Sequence, residues 1–516
     1  MTSWSNGYVS DIEYLPGFYA DQTPGHLQLA CLIKGFEPPL SSQSFTYCEL
    51  GCGQGTTASI IAAANPLAHV VAIDFNPAQI ARAKRNALEY GLTNIEFLEL
   101  SFEELEAINS LKDFDIVSLH GVWSWIAHKD REAIVAFLKK GVRPGGLVSL
   151  SYNAMPGWTS ILPFQRMLLE HSRLNNDRSD RRVVGSLDFI EKIQQLGCQT
   201  VGDTKFFGRF RSSNKMRTEE DHAIYLAHEY LNENWQPLYH ADTARMLEPA
   251  KLNFVASATL LDNFSDLMLT PGQREVADLI PQGILRETIK DYFVNRPFRR
   301  DIFIRGAQQI SDTRRDELLG KMGLASTVAL DAVKLTINTP AGEATLPGSQ
   351  YNPIFEALAK RPRSLQEISD QLKQSNLEKT PSMVEIAGIL VGTGQAIPLP
   401  WGLELKANFS TLLFNRKVIA PILAREASVV ALASPLASSG LNFNAIEAII
   451  YHLASSGLDH AELASNALKM LSNEPNPIAI DGKIVSDPEE IKSSLSDGIR
   501  WSIENRIPLW KELMML

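Results

Sequence analysis

The sequence predicts an α/β chain: a domain built on a parallel sheet, then a mostly α-helical middle domain, then a C-terminal winged-helix-like α+β domain. Three observations predict it. Apolar strands at 45–50, 69–74, 95–99, 114–120 and 146–152 alternate with helical stretches, the βαβ pattern of a parallel sheet. A glycine-rich turn links the first strand to the first helix of that series. Beyond residue 350, three short amphipathic helices precede the strand-like Ala396-Ile397-Pro398-Leu399. A chain of 516 residues also exceeds what one core supports. The expected division is 1–40, an N-terminal segment; 41–160, the sheet domain, with its sheet completed near 253–262; 161–310, the middle domain; 311–345, a linker; and 346–516, the C-terminal domain.

The turn reads Glu49-Leu50-Gly51-Cys52-Gly53-Gln54-Gly55. Its glycines let the backbone turn sharply and approach a ligand where a Cβ would collide. The helix that opens near Thr56 brings unpaired N–H groups to the same point, which suits an anionic group. The second strand, Val70-Val71-Ala72-Ile73, stops at Asp74, where nucleotide-binding α/β folds place the acceptor for ribose hydroxyls. The next helix is signposted by Asn76 as its cap, Pro77 at its first position and Gly91 at its stop.

With its Glu-x-Gly-x-Gly-x-Gly spacing and the following acid, this stretch resembles class I S-adenosylmethionine-dependent methyltransferases, a Rossmann-like fold. The resemblance implies that Gly51, Gly53 and Gly55 border the methionine moiety of S-adenosyl-L-methionine and that Asp74 binds its ribose. It puts Glu49, Ser101 and His120 in the same cofactor-binding set. Ser101 stands where many relatives carry an Asp that meets the adenine amino group.

Ligands in open α/β sheets meet the carboxyl ends of the strands. The fourth strand ends in His120-Gly121-Val122-Trp123-Ser124-Trp125, at the offset where amino-methyltransferases carry Asn/Asp-Pro-Pro-Tyr. The letters differ, but an aromatic closes the motif, which suits an alkylammonium channel as well as it suits core. The fifth strand ends in Tyr152-Asn153-Ala154-Met155-Pro156-Gly157-Trp158, a second wall of the cleft. Expected catalytic residues are therefore His120, Trp123 and Tyr152, forming an apolar slot that lowers a lysine's pKa, with His120 or Tyr152 as proton relay.

Together these two elements resemble bacterial methyltransferases with a methyltransferase regulatory domain, the group containing rickettsial-type protein lysine methyltransferases. His228-Glu229-Tyr230-Leu231, on a helix from Thr218 to Asn232, and residues 288–300 resemble that domain's motifs. No second histidine stands four residues from His228, so His228-Glu229 is expected to be a structural pair rather than a metal or acid–base site. Lys290, Arg296, Arg299 and Arg300 form a basic cluster, expected as a solvated face or as a dock for an acidic protein surface. Tyr8, Tyr14, Phe18 and Tyr19 make the N-terminal segment aromatic. It either packs ahead of a helix capped by Thr23 or closes over the cofactor as a lid.

Ser364 with Glu367 and Ser382 with Glu385 predict capping boxes in the C-terminal domain, with helices at 414–426 and 443–474 beyond them. The net charge of −10 and the lack of an Arg/Lys run on those helices argue against nucleic-acid binding and favour a protein-contact or oligomer module. Cys31, Cys48, Cys52 and Cys198 show no metal-ligand spacing and read as reduced. No apolar run is long enough for a bilayer, so neither membrane insertion nor a targeting segment is expected, and the expected location is cytoplasmic. The leading expectation is methyl transfer to a protein lysine amine, the partners being that protein and, in a homodimer, a second copy of the chain. Methylation of a small molecule or peptide at O or N, and a silent cofactor-binding scaffold, stand as alternatives.

Overall fold

The computed structural model describes residues 5–39, 44–198, 219–375, 377–400, 409–424, 429–472, 478–480, 483–485 and 488–516; Thr218, the expected first residue of a helix, lies outside them. Its centre is a seven-stranded sheet. Strands β1 (Thr46–Leu50), β2 (His69–Asp74), β3 (Ile95–Glu99), β4 (Phe114–Leu119) and β5 (Val142–Asn153) run parallel in the order 3-2-1-4-5. Strand β7 (Phe298–Arg305) then pairs antiparallel with β5, and β6 (Leu252–Ser257) pairs antiparallel with β7 at the edge. The sheet is thus Rossmann-like, and its last two strands begin about 100 (β6) and about 145 (β7) residues beyond the end of the fifth.

Alternation along the strands decides what each face buries. Tyr47, Val70, Ala72, Ile116, Leu147 and Ile302 pack on one side with helices α1 (Pro24–Ile33), α2 (Thr56–Ala64) and α3 (Pro77–Tyr90). Cys48, Leu50, Val71, Val117, Leu119, Val148, Leu150 and Tyr152 pack on the other with α4 (His128–Gly141). Asn76 caps α3 as its sequence demands, accepting from Ala78 N and Gln79 N, and Gly91 ends it in the left-handed region. Thr23 does not cap α1; its hydroxyl donates to Ala20 O at 2.7 Å, into the preceding turn instead.

Between β5 and β6 the chain builds a helical cap. Helices α5 (Leu162–Ser172), α6 (Ser179–Gln195) and α7 (Glu219–Tyr230) share a core of Phe164, Leu168, Val183, Leu187, Ile190, Leu226 and Ala227. Val9 and Ile12 of the N-terminal segment insert into that core. Hydrogen bonds fix them there: Val9 N to Asn232 Oδ1 (2.8 Å), Glu233 N to Gly7 O (3.0 Å) and Ser179 N to Asp11 Oδ2 (2.8 Å). Helix α8 (His240–Leu247) leads into β6.

The stretch 311–345 is no linker. Ser311 caps a helix over Asp312–Gly320, and strand Met322–Ser326 pairs with Arg363–Ser364 and Ala396–Pro400 in a three-stranded sheet. Its Asp and Arg residues reflect a wet helix face with 3-residue-spaced ion pairs, not an unstructured chain. The helices Gly348–Lys360, Leu365–Lys373 and Met383–Gly392 complete a winged-helix-like unit, and both expected capping boxes form. This unit joins the same core as α1, through Leu319, Leu324, Ile386 and Leu390. The small residues near 431–439 are a hairpin, Val429–Ser434 with Ser439–Asn444, and the helix expected over 443–474 is two helices broken near Gly457. Small side chains there let the hairpin lie close on α2, where Thr411 Oγ1 donates to Ala63 O at 2.7 Å.

The expected basic face is a buried ion-pair network. Arg299 is 6% exposed and holds Asp291 (2.6 Å) and Asp301 (2.9 Å). Arg296 pairs with Asp262 (3.0 Å), Lys290 with Glu287 (2.8 Å) and the half-exposed Arg300 with Asp21 (2.6 Å). The cluster is neutralised by acids near it in sequence (Glu287, Asp291 and Asp301) and far from it (Asp21 and Asp262), so it presents no free positive field for docking. No helix among the described residues is long and apolar enough to cross a membrane, and no metal-holding cluster occurs among them.

Candidate active site

A cavity of about 540 Å³ lies at the carboxyl ends of β1, β2 and β4, beneath the helical cap. Its floor is the glycine turn. Gly51 adopts φ +72°, and a Cβ there would stand 2.3 Å from Val122 Cγ2, so only glycine lets the β1 and β4 loops close on each other. Gly51 N and Cys52 N donate to Ile73 O (2.8 and 3.0 Å), and Gly53 N donates to Asp74 Oδ2 (2.9 Å). The acid at the tip of β2 therefore braces the turn from below, while its Oδ1 accepts from Asn76 N (2.9 Å). Gly55 does not line the cavity. At φ +73° it starts α2, with Phe97 and Ala83 packed where a side chain would be.

Glu49, Gly51, Gly53, Asp74, Ser101 and His120 all line the cavity. Burial pushes the Glu49 carboxyl up to about 8, opposed by the Ala58 N–H and reinforced by Asp74; its Oε2 is buried with no hydrogen-bond partner among the described residues. Burial raises Asp74 as well, against the pull of the Asn76, Gly53 and Phe75 N–H groups. Glu49 and Asp74 thus stand together in the floor with no Lys or Arg among the described lining residues. The Ser101 hydroxyl donates to Glu104 Oε2 (2.7 Å), which leaves its oxygen lone pairs toward the cavity. His120 stacks on Tyr19 with centroids 3.8 Å apart, and burial lowers it to about 4, so its ring is neutral near pH 7.

Two expected catalytic residues are elsewhere. Tyr152 is fully buried on the α4 and α8 side of the sheet, where its hydroxyl donates to Asp301 Oδ2 (2.7 Å) beside His240. The period of two explains it: Asn153 lines the cavity, and its neighbour must point away. Trp123 is likewise fully buried on that side, while Val122 and Trp125 line the cavity. Tyr152→Phe should therefore lower stability by about 1–3 kcal/mol through the loss of one hydrogen bond to the Asp301 carboxylate, whose Oδ2 keeps Arg299 and His240, and leave cofactor affinity unchanged, as paired chemical denaturation and calorimetry would read.

The roof holds residues that the motifs did not assign to the site. Tyr8, Tyr14 and Tyr19 come from the N-terminal segment, Tyr225, His228, Glu229 and Asn234 from α7 and the loop after it, and Phe298 from the start of β7. His228-Glu229 is thus a cavity pair, not an internal strut. The aromatic richness of residues 8–19 was the available signal for the roof; nothing local marks Phe298.

The formal charges around the cavity are of one sign. Glu49, Asp74, Asp130 and Glu229 line it, and among the described residues no Lys or Arg does. His228, like His120, is held near 4 by burial.

Comparison with known proteins agrees with this architecture. Residues 41–180 match a family described as a methyltransferase domain, and residues 222–305 one described as a predicted methyltransferase regulatory domain. The chain is similar to the uncharacterised protein sll1526 of Synechocystis sp., at 32% identity over 513 residues and 99% of both chains. It is also similar to RP789 of Rickettsia prowazekii, at 26% identity over 60% of this chain and 55% of that one. Among solved structures, PKMT2 from Rickettsia typhi in complex with AdoHcy superposes with a TM-score of 0.66 at 18% identity, covering 95% of this chain and 98% of that one, a likeness of fold. The chain belongs to the same family as sll1526, and it is an S-adenosylmethionine-dependent methyltransferase that carries a methyltransferase regulatory domain.

Proposed function

We propose that the chain methylates a lysine amine of a protein, with S-adenosylmethionine as donor. The observation that carries this reading is the cavity's charge. Four acidic groups, which a bound cation draws into the ionised form, several tyrosines and no Lys or Arg among the described lining residues favour a cationic acceptor and disfavour phosphates, carboxylates and nucleic acid. The likeness of fold to PKMT2 from Rickettsia typhi adds support.

The residues present fit the donor. The unpartnered Glu49 Oε2 suits its amino group, and the N–H groups opening α2 at Thr56 and Thr57 suit its carboxylate. Asp74 has lone pairs left for the ribose hydroxyls, and Ser101 for the adenine amine. The bound sulfonium supplies an activated methyl group. The protein's task is then to align the acceptor and exclude water. Tyr19 and His120 wall the β4 side in close ring contact, and an imidazole held near 4 is a poor base for an amine.

Two measurements test the reading. Asp74→Ala should weaken S-adenosylhomocysteine binding by about a hundredfold, since it removes a charged acceptor and the brace of the glycine turn. Calorimetry showing unchanged affinity would exclude Asp74 from the site. Labelled S-adenosylmethionine added to a lysate of the source cell should label protein bands in a base-stable, lysine-derived form; a labelled soluble product alone would overturn the protein acceptor.

A further inference from the structure

The carboxylate in the roof has no role in holding the donor as described above. Glu229 sits one residue before the end of α7, and it faces the cavity among rings. The Tyr14 hydroxyl donates a hydrogen bond to it. Tyr14 meets the His228 ring edge-on at 5.0 Å, and Tyr8 bridges roof to floor, with its centroid 5.8 Å from His228 and 5.9 Å from Phe75, the residue after Asp74. Tyr225 closes the same wall. A carboxylate framed by aromatic faces is the chemistry that binds an alkylammonium.

We infer that Glu229 is a catalytic residue of this cavity, holding the acceptor's ammonium group within the Tyr8, Tyr14 and Tyr225 rings and taking its proton. This rests on the lysine reading given above. A lysine ammonium carries a positive charge near neutral pH and has no lone pair for the methyl. One of its N–H bonds breaks, the proton passes to a Glu229 carboxylate oxygen, and the electron pair of that bond stays on nitrogen. The neutral amine is then the nucleophile. After the product leaves, the Glu229 carboxyl returns its proton to water.

The charged and titratable groups around Glu229 leave it as the base. On its own helix stand Tyr225, His228 and Tyr230; from the N-terminal segment come Tyr8 and Tyr14, with Asp11 acting on His228; and Asp74 acts on Tyr8 from the floor. Burial holds His228 neutral, and it raises all the tyrosines for which a shift is seen here: Tyr8, Tyr14 and Tyr230. Burial raises Glu229 too, to about 7, with the Tyr14 hydrogen bond pulling the other way. A carboxyl that ionises there is matched to proton transfer near neutrality. Its placement on the regulatory segment also gives that segment a direct part in the chemistry.

The test uses the full chain saturated with S-adenosylhomocysteine, and n-butylammonium as a lysine side-chain probe, followed by calorimetry. Wild type should bind the probe at pH 8, and Glu229→Gln should weaken that binding at least tenfold while S-adenosylhomocysteine affinity stays within threefold. In wild type, probe binding should fall as pH drops through about 7, because the carboxyl loses its charge; in the variant it should be flat. Tyr14→Phe, which removes the hydrogen bond that favours the ionised form, should move the midpoint upward. Equal probe binding in Glu229→Gln and wild type would overturn the inference. So would a parallel loss of S-adenosylhomocysteine affinity, which would assign Glu229 to the cofactor's own amino group. Wild type that binds S-adenosylhomocysteine but not the probe overturns this inference alone, whereas wild type that binds neither overturns the methyltransferase site itself.

Discussion

Gly51→Val should abolish turnover and lower S-adenosylmethionine affinity by more than a hundredfold. The valine's Cβ would stand 2.3 Å from Val122 Cγ2, a separation that real contacts do not show, and at φ +72° a β-branched residue is strained in any surroundings. Relief requires moving one of the two loops. Moving the β1 loop breaks the Gly51 and Cys52 bonds to Ile73 O and the Gly53 bond to Asp74; moving the β4 loop displaces His120 and Val122 from the cavity wall. Either shift spoils the floor on which the methionine moiety is proposed to rest. The chain should still fold, with a stability loss of about 1–3 kcal/mol. Gly185→Ala is the control: nothing lies within 4 Å of a Cβ there and the position is inside α6, so it should gain about 0.5–1 kcal/mol and leave binding alone. Calorimetry on both variants, with near wild-type affinity in Gly51→Val, would dissociate this turn from the cofactor.

The second large effect is expected far from the cavity floor. Arg299→Met removes the guanidinium from a buried site that holds Asp291 at 2.6 Å and Asp301 at 2.9 Å. Methionine fills the volume but leaves two buried carboxylates with less counter-charge, at a cost of about 3–5 kcal/mol. The pH dependence follows from Asp301. Burial alone would raise it, but Arg299 and His240 outweigh burial and hold it at about 2. A carboxyl depressed in this way contributes stability above its unfolded value of about 3.9 and loses that contribution as pH falls through its folded value. The deficit of Arg299→Met should accordingly be full at pH 7 and shrink toward pH 3, where wild type itself begins to lose the pair. Urea denaturation at pH 7 and pH 3 reads the full and the shrinking deficit; a difference under about 1 kcal/mol at pH 7 would mean that solvent reaches the acids.

The legible parts of this chain were those set by neighbours in sequence. Period-two apolar runs marked β1 to β5, Asn76, Pro77 and Gly91 bounded α3, and Ser364 and Ser382 announced their helices. The glycine turn and Asp74 announced the cofactor floor, because backbone conformation and strand ends are local properties. What stayed hidden depended on partners far along the chain. Arg299 resembled a solvated charge because, although Asp291 and Asp301 stand close to it in sequence, nothing at 290–301 reveals that the group is buried against Tyr152 and His240. Tyr152 and Trp123 were placed one position out of phase: a strand end identifies the cavity, but only the register decides whether residue 152 or 153 enters it. His228-Glu229 was weighed as a metal or acid–base pair, and the argument against it was the absence of the second ligand that a metal needs. An ammonium needs no such companion, so the missing histidine was no argument against a carboxylate with a binding role.

The antiparallel pairing of β5 with β7 has a consequence for how the protein is made. Tyr152 pairs with Arg299 and Asn153 with Phe298, so about 145 residues must emerge after β5 before its partner exists. At roughly 5–20 residues per second, the nascent sheet spends on the order of ten to thirty seconds with β5 as an open edge. An edge carrying Leu147, Val148 and Leu150 invites pairing with a neighbouring chain during that interval. Phe298, which closes the cavity wall, arrives with the same strand. The cavity wall is therefore completed only when the edge is sealed. Slowing translation between residues 153 and 298 should lengthen the exposed interval and raise the insoluble fraction, whereas a pause placed after residue 305 should not.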